Sequence, residues 1–138
     1  PTENRVRDAG SFIYEEFVET DDWLDIKVYI VGGFVHAEQR RSPCVDGLVQ
    51  RNADGRELRT PCTLSDEEKA LVLRVAGAFG QTVCGLDLLR AGGKAFVIDV
   101  NGWSFVKGKN TDLYYKAAAE QLYKIMTEQL AQRHAGGA

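Results

Sequence analysis

Asp87, Asp99 and Asn101 are the side chains of this chain best suited to hold a hard cation, because all three offer oxygen donors and a hairpin can bring them together. Two apolar runs, 82–90 and 95–102, flank Ala91-Gly92-Gly93-Lys94 and predict paired strands joined by a glycine turn. Side chains alternate faces along a strand, so Asp99 and Asn101 share one. A three-residue loop over 92–94 sets Asp87 directly opposite Asp99. A two-residue loop sets it opposite Ile98 and leaves the acids as diagonal neighbours. Like charges facing across a ladder are destabilising, by roughly 0.2–1 kcal/mol in ordinary pairs. The first register therefore makes sense with a cation between the acids, magnesium carrying a phosphate being the natural one. In the second, the acids are a solvated pair on an exposed sheet face.

Other groups are suited to anions. Asp25 and Lys27 share a strand face and either pair with each other or hold a ribose hydroxyl and a phosphate. Arg40, Arg41, Lys107 and Lys109 can build a local positive site, the guanidinium being suited to bidentate phosphate contact, or they are simply solvated loop residues. Glu15-Glu16 closes a β-prone run just before a turn, where ligand contacts and solvated pairs both occur. Trp103 and Phe105 either shape a pocket or join the core, and His36 reads as structural. Established phosphate fingerprints are absent. Gly102-Trp103-Ser104-Phe105-Val106-Lys107-Gly108-Lys109 has five residues between its glycines where a P-loop has four, and no Ser or Thr directly follows Lys109. Neither a dinucleotide-binding Gly-x-Gly-x-x-Gly nor a nucleophile elbow is present.

The elements that must position these residues follow from pattern. The expected class is α+β, a mostly antiparallel sheet packed against two main helices. Residues 1–10 form an extended lead-in and 11–43 a three-strand segment: 12–17, then 24–31, then, after Gly32-Gly33, 34–40. In the second strand Leu24, Ile26, Val28 and Ile30 point one way while Asp25, Lys27 and Tyr29 point the other. Residues 44–64 are irregular or a minor hairpin about Asn52-Ala53-Asp54-Gly55. Ser65-Asp66-Glu67-Glu68 is a capping box opening a helix over 65–80, with Leu71, Val72, Val75, Ala76 and Phe79 as its apolar stripe and Gly80 as its stop. The hairpin over 82–102 comes next, then a helix over 111–133 with the stripe Tyr114, Ala118, Leu122, Ile125 and Met126.

Composition bounds the function. The 138 residues, 44% hydrophobic and 27% charged, suffice for one globular domain with a sizeable core. A net charge of -3 argues against a general nucleic-acid binder. No run approaches the ~20 apolar residues that span a bilayer. Cys44, Cys62 and Cys84, widely spaced and with only His36 and His134 beside them, make no zinc pattern and suit a reducing cytosol.

Taken together, the runs 10–17 and 25–29, His36-Ala37-Glu38-x-Arg40-x-Ser42-Pro43, the run 81–90 and Asp99-Val100-Asn101-Gly102-x-Ser104-Phe105-Val106-Lys107 closely resemble the inositol pyrophosphate kinases, the diphosphoinositol pentakisphosphate kinase family. The resemblance runs from about 5 to 126 and implies an ATP-grasp fold. It implies transfer of the ATP γ-phosphate, with Mg2+, onto a phosphate of inositol hexakisphosphate or diphosphoinositol pentakisphosphate. By this likeness Glu15, Glu16, Phe17 and Val18 hold the adenine. Asp25 contacts the ribose, with Ile26 beside it, and Ser42 contacts the nucleotide. Lys27 lies between nucleotide and substrate phosphates, and Arg40 beside the transferring group. Asp87, Asp99 and Asn101 match magnesium ligands within a nucleotide-contacting run that includes Val100, and Ser104, Phe105, Val106 and Lys107 match the loop that receives inositol phosphates. Lys27, Arg40 and Asp99 are the implied catalytic residues. Two departures stand out: Asp22-Trp23-Leu24 replaces a shorter glycine-containing turn, and Trp103 replaces a phenylalanine. The likeness also leads us to expect an isolated C-terminal lobe, inactive alone, whose open apolar surface could self-associate. The competing functions are another ATP-grasp enzyme such as a carboxylate-amine ligase, and a catalytically silent nucleotide-binding or assembly module.

Overall fold

The structure, a computed structural model, describes residues 16–42, 51, 53, 55, 57–106 and 111–135. Its strands are β1 (Leu24–Val31), β2 (Phe34–Arg41), β3 (Thr60–Pro61), β4 (Val83–Ala91) and β5 (Lys94–Gly102), and its helices α1 (Asp66–Ala78) and α2 (Asp112–Ala135). The strands make one sheet in the order β3-β2-β1-β4-β5, with every pairing antiparallel.

Strand alternation divides the core in two. Ile26, Val28, Ile30, Leu86 and Leu88 are buried on one face with Val72 and Ala76 of α1. Tyr29, Val31 and Val83 are buried on the other with Tyr114 and Ala118 of α2. Each fully buried aliphatic side chain contributes about 1.5–3 kcal/mol relative to exposure.

The capping box forms as its residue types dictate: Ser65 Oγ accepts from the Glu68 N–H at 3.1 Å, while Glu68 Oε2 accepts from the Ser65 N–H at 2.8 Å. Phe79 caps the other end, and Gly80 follows with φ +63°. Phe79 therefore leaves the apolar stripe expected of it and is 63% exposed. Met126 departs from its stripe too, at 60% exposed. Ile125 lies against the Gly32 turn, and from Met126 to Ala135 the α2 side chains are all exposed.

The expected strand over 12–17 lies outside the described residues except at its end, where Glu16 and Phe17 have no regular structure. The outer edge of β2 is instead occupied by β3, through Glu38↔Pro61 and Gln39↔Thr60. The turn expected at 52–55 is spanned by an isolated bridge, Arg51↔Glu57.

The β4–β5 hairpin combines the two alternatives expected of it. Its loop is the two-residue one: Ala91 pairs with Lys94, and Gly92 and Gly93 adopt φ +57° and +71° as a tight twisted turn requires. Asp87 nonetheless faces Asp99, because the register shifts between Leu88↔Val97 and Asp87↔Asp99 and Ile98 is the extra residue of a β-bulge. The apolar pattern explains the bulge. Val97 and Val100 both pack toward α1, and an unbroken alternation would turn only one of them inward.

Candidate functional site

Among the described residues, the sheet face toward α2 is covered at one end. Tyr114 and Ala118 close over Tyr29 and Val31, with Phe34 packed alongside. Beyond Tyr29 the same face carries charge, set out in rows by the ladder. Lys27 has Glu38 on one side and Asp87 on the other, and Asp99 lies beyond Asp87. The next row pairs Asp25 with Arg40, and on the other side Gly85 pairs with Asn101.

These side chains interlock. Lys27 Nζ lies 2.7 Å from Asp87 Oδ1, and the Asn101 amide donates to Asp99 Oδ2 at 2.7 Å. An Arg40 guanidinium nitrogen stands 3.4 Å from Asp25 Oδ2, while another donates to Glu57. Glu57 also accepts from Arg59 Nε at 2.7 Å. Burial alone would raise the Glu57 carboxyl, but the hydrogen bonds from Arg59 and Arg40 outweigh it and hold it below the usual carboxylate range. Tyr29, at the boundary with the α2 core, is pushed up to about 12 by burial and stays a neutral phenol.

Over this face opens a cleft of about 1150 Å³ whose lining includes Lys27, Arg51, Arg59, Asp99, Asn101 and Ser104. A smaller hollow of about 110 Å³ beside it is bounded by Asp25, Lys27, Arg40, Arg59 and Asp87. The wall over 103–106 is fixed in place. The Trp103 N–H donates to Val83 O at 3.0 Å, and the Val106 carbonyl accepts from the Tyr115 hydroxyl at 2.5 Å. Ser104 rests on Gly85, where a Cβ would come within 2.7 Å of its Oγ. Trp103, at φ +49° and 72% exposed, packs edge-on against Phe105 at 5.4 Å.

The structure thus brings together Asp25, Lys27, Arg40, Asp87, Asp99, Asn101 and Ser104. It turns others away. Ile26 is buried against α1 and Val100 packs against the same layer, because alternation sends them to the opposite face, so only their backbone can meet a ligand there. The Val106 side chain is fully buried in the α2 cluster, and Phe105 is packed against that cluster while lining the cleft. Ser42 is buried, its N–H donating to Trp23 O at 2.8 Å. Glu16 and Phe17 are exposed and Val18 is half-buried, and none of the three lines the cleft. Glu15 and Lys107 lie outside the described residues.

Sequence reasoning passed over Arg51, Glu57 and Arg59. The available signal was the turn at 52–55 with arginines on both sides, since closing that turn swings them toward Arg40.

Among the described residues no three His, Cys, Asp or Glu side chains gather as a metal cluster. Asp87, Asp99 and Asn101 supply two carboxylates and an amide instead. That donor set suits a hard cation that keeps several waters and needs few protein ligands.

Known proteins resemble this chain over most of its length. A family model described as a RimK-like ATP-grasp domain matches residues 4–125. The chain is 50% identical over 129 residues to the inositol hexakisphosphate and diphosphoinositol-pentakisphosphate kinase of Saccharomyces cerevisiae, aligning 93% of this chain with 11% of that protein. It is 51% identical over 130 residues to kinase 2 of the same name from Homo sapiens, aligning 94% of this chain with 10% of that one. The Arabidopsis thaliana kinase VIP1 is 53% identical over 126 residues, 91% of this chain and 12% of that protein. The chain therefore spans about a tenth of the length of these relatives. Among solved structures, the ATP-grasp ligase PsnB, complexed with a phosphomimetic variant of its minimal precursor, Mg and ADP, superposes with a TM-score of 0.50. That match is 21% identical and covers 67% of this chain and 27% of PsnB, a likeness of fold.

Proposed function

Because the chain belongs to the RimK-like ATP-grasp domain family, we propose that its charged sheet face is the phosphate- and magnesium-binding part of an inositol phosphate kinase. The reaction is attack by a phosphate oxygen of inositol hexakisphosphate or diphosphoinositol pentakisphosphate on the γ-phosphorus of ATP. The bond to the bridging β–γ oxygen breaks, ADP leaves, and a diphosphate remains on the ring.

The observation that carries this reading is the bulged register, which holds Asp87 against Asp99 one row from Arg40. In our assignment Asp87, Asp99 and Asn101 hold Mg2+, which when bound neutralises the charge on the β- and γ-phosphate oxygens. Lys27 then orients donor and acceptor phosphates, and Arg40 stabilises charge gathering on the transferring group. Phosphoryl transfer calls for positioning and charge neutralisation more than for covalent help, which is what these side-chain types provide. Asp25 takes the ribose. Arg51 and Arg59 extend the cationic wall toward the acceptor, with Ser104 and the backbone of Phe105 and Val106 opposite; Lys107, the next residue in sequence, is assigned to the same acceptor. Glu15, Glu16, Phe17 and Val18 receive the adenine, Ile26 and Val100 contributing backbone groups and Ser42 a further nucleotide contact. Free Cys62 and Cys84 suit a reducing, cytosolic setting.

Calorimetric titration of an unhydrolysable ATP analogue, with and without magnesium, tests the reading. Binding should require magnesium and disappear in Asp99→Ala. Failure of the unaltered chain to bind the analogue in either condition would overturn it. If the analogue binds, product analysis of a longer protein that carries this domain, with inositol hexakisphosphate against an amine acceptor, separates the kinase from an ATP-grasp ligase.

A further inference from the structure

One acid on the charged face has no part in the reaction just assigned. Glu38 stands directly across from Lys27 in the β1–β2 ladder, as Asp87 does in the β1–β4 ladder. A single ammonium is thus flanked by two carboxylates in one row, and it is bound to Asp87 at 2.7 Å. Glu38 is differently placed. Its Oε1 lies 3.7 Å from Nε2 of His36, and its Oε2 is buried with no hydrogen-bond partner among the described residues.

A buried carboxylate oxygen without a donor is costly, and native folds rarely leave one unsatisfied. Lys27 sits directly across the ladder from Glu38 and is a flexible cation able to supply that donor; the Tyr114 hydroxyl, itself buried without a partner among the described residues, is the other candidate donor. Directly opposed side chains in a ladder begin only about 5 Å apart at Cβ, so a lysine stem can swing from one neighbouring strand to the other without backbone movement.

We propose that Glu38 is a positioning residue that provides a second seat for Lys27. When the Asp87 carboxylate is engaged elsewhere, the ammonium crosses β1 to Oε2 of Glu38, and it returns when Asp87 is released. The inference rests on the magnesium reading of Asp87 for its trigger, but the second seat itself does not. A divalent cation and an ammonium compete for the same carboxylate. A lysine with somewhere else to go surrenders Asp87 without being lost to solvent, and it stays in the row that faces the cleft.

Two measurements on the 138-residue chain test this. The first needs no metal. Asp87→Asn removes the first seat while keeping its shape, and nuclear magnetic resonance of the Lys27 side chain should then show a Lys27 Hε to Glu38 Hγ contact and slowed exchange of the ammonium protons. Adding Glu38→Gln should abolish the slowing. Lys27 signals in Asp87→Asn that are indifferent to Glu38→Gln would overturn the second seat.

The second is magnesium affinity by calorimetry in the unaltered chain, Glu38→Gln, Lys27→Met and the double variant. Glu38→Gln should weaken binding on the order of fivefold, the low end of ordinary couplings between sites, and should change nothing once Lys27 is methionine. An equal loss in both backgrounds would mean that Glu38 acts only as a distant negative charge and would overturn the exchange. The two arms separate the two readings. No magnesium binding with the Lys27–Glu38 contact present removes the metal from Asp87 and leaves the second seat standing. Magnesium binding without that contact does the reverse.

Discussion

Ile26 and Lys27 are consecutive on β1, yet one is sealed under α1 in a closed apolar layer and the other stands at an open cleft among acids and arginines. The α1 face is apolar where α1 covers it. Among the described residues, the opposite face is apolar where Tyr114 and Ala118 of α2 lie on it and charged beyond. Strand parity therefore separates two tasks that share a backbone. Residues facing α1 hold the sheet together, and residues facing away arrange charges that a sheet tolerates only because that core is secured elsewhere.

Neighbouring substitutions should therefore differ sharply in their cost. The largest effect is expected of Ile26→Ala, which deletes a fully buried side chain and should cost about 3 kcal/mol in denaturant unfolding. Lys27→Met, one residue on, should stay within about 1 kcal/mol of the unaltered chain, since it removes a partly exposed ion pair. Comparable losses for the two would dissolve the distinction between the faces.

Gly85→Ala comes next. Its Cβ would fall 2.7 Å from Ser104 Oγ and 2.8 Å from Ser104 Cβ, so the cleft wall must shift, at a cost of about 2 kcal/mol in unfolding experiments. A crystal structure with Ser104 unmoved would contradict this.

Glu68→Gln should cost about 1.5 kcal/mol, because it keeps the capping box, which takes Glu or Gln there, but removes the ionised acceptor of Arg90 Nε at 2.6 Å. The hydrogen bond from Arg90 holds the Glu68 carboxyl below its usual range. Its contribution is thus present above the unfolded value, near 4.3, and fades as pH falls through the lower folded value. Stability profiles of the two proteins should converge in acid, and a gap that persisted unchanged through that range would break the assignment.

The smallest effect has the opposite sign. Asp99→Asn relieves the like-charge pairing with Asp87 and should stabilise the metal-free chain by about 0.5 kcal/mol. Saturating magnesium should then favour the unaltered chain in thermal melts. Destabilisation by Asp99→Asn without magnesium would show that the pairing carries no penalty.

Much of this was legible in residue order. The capping box, both glycine turns and the alternation of β1 are local patterns, and local chemistry decides them. The acid pair was legible only as two alternatives, because a bulge depends on how Val97 and Val100 pack against α1, a long-range matter that loop length does not encode. The pairing of Thr60–Pro61 with β2 was hidden for the same reason. Two residues carry no strand period of their own. Side chains such as Ile26, Val100 and Val106, which the family likeness drew into the site, lie on its reverse or beneath it. A motif names a stretch of chain, while the pleat decides which members of the stretch a ligand meets. Trp23 and Trp103, both departures from the family pattern, are also the described non-glycine residues with positive φ, at +56° and +49°. The left-handed backbone stands at both positions under side chains that pay roughly 1–2 kcal/mol for it.

The bulge at Ile98 gives the hairpin an arithmetic of length. A two-residue turn with regular pairing would bring Asp87 opposite its partner with one residue fewer between them, so β5 carries a surplus of one, taken up entirely at Ile98. Removing Ile98 would leave a regular ladder with the same two acids face to face. Removing a single residue between Asp99 and Asn101 would send one of those two to the core side. The hairpin can thus change length at this one joint while the spacing that matters for ligands stays constant.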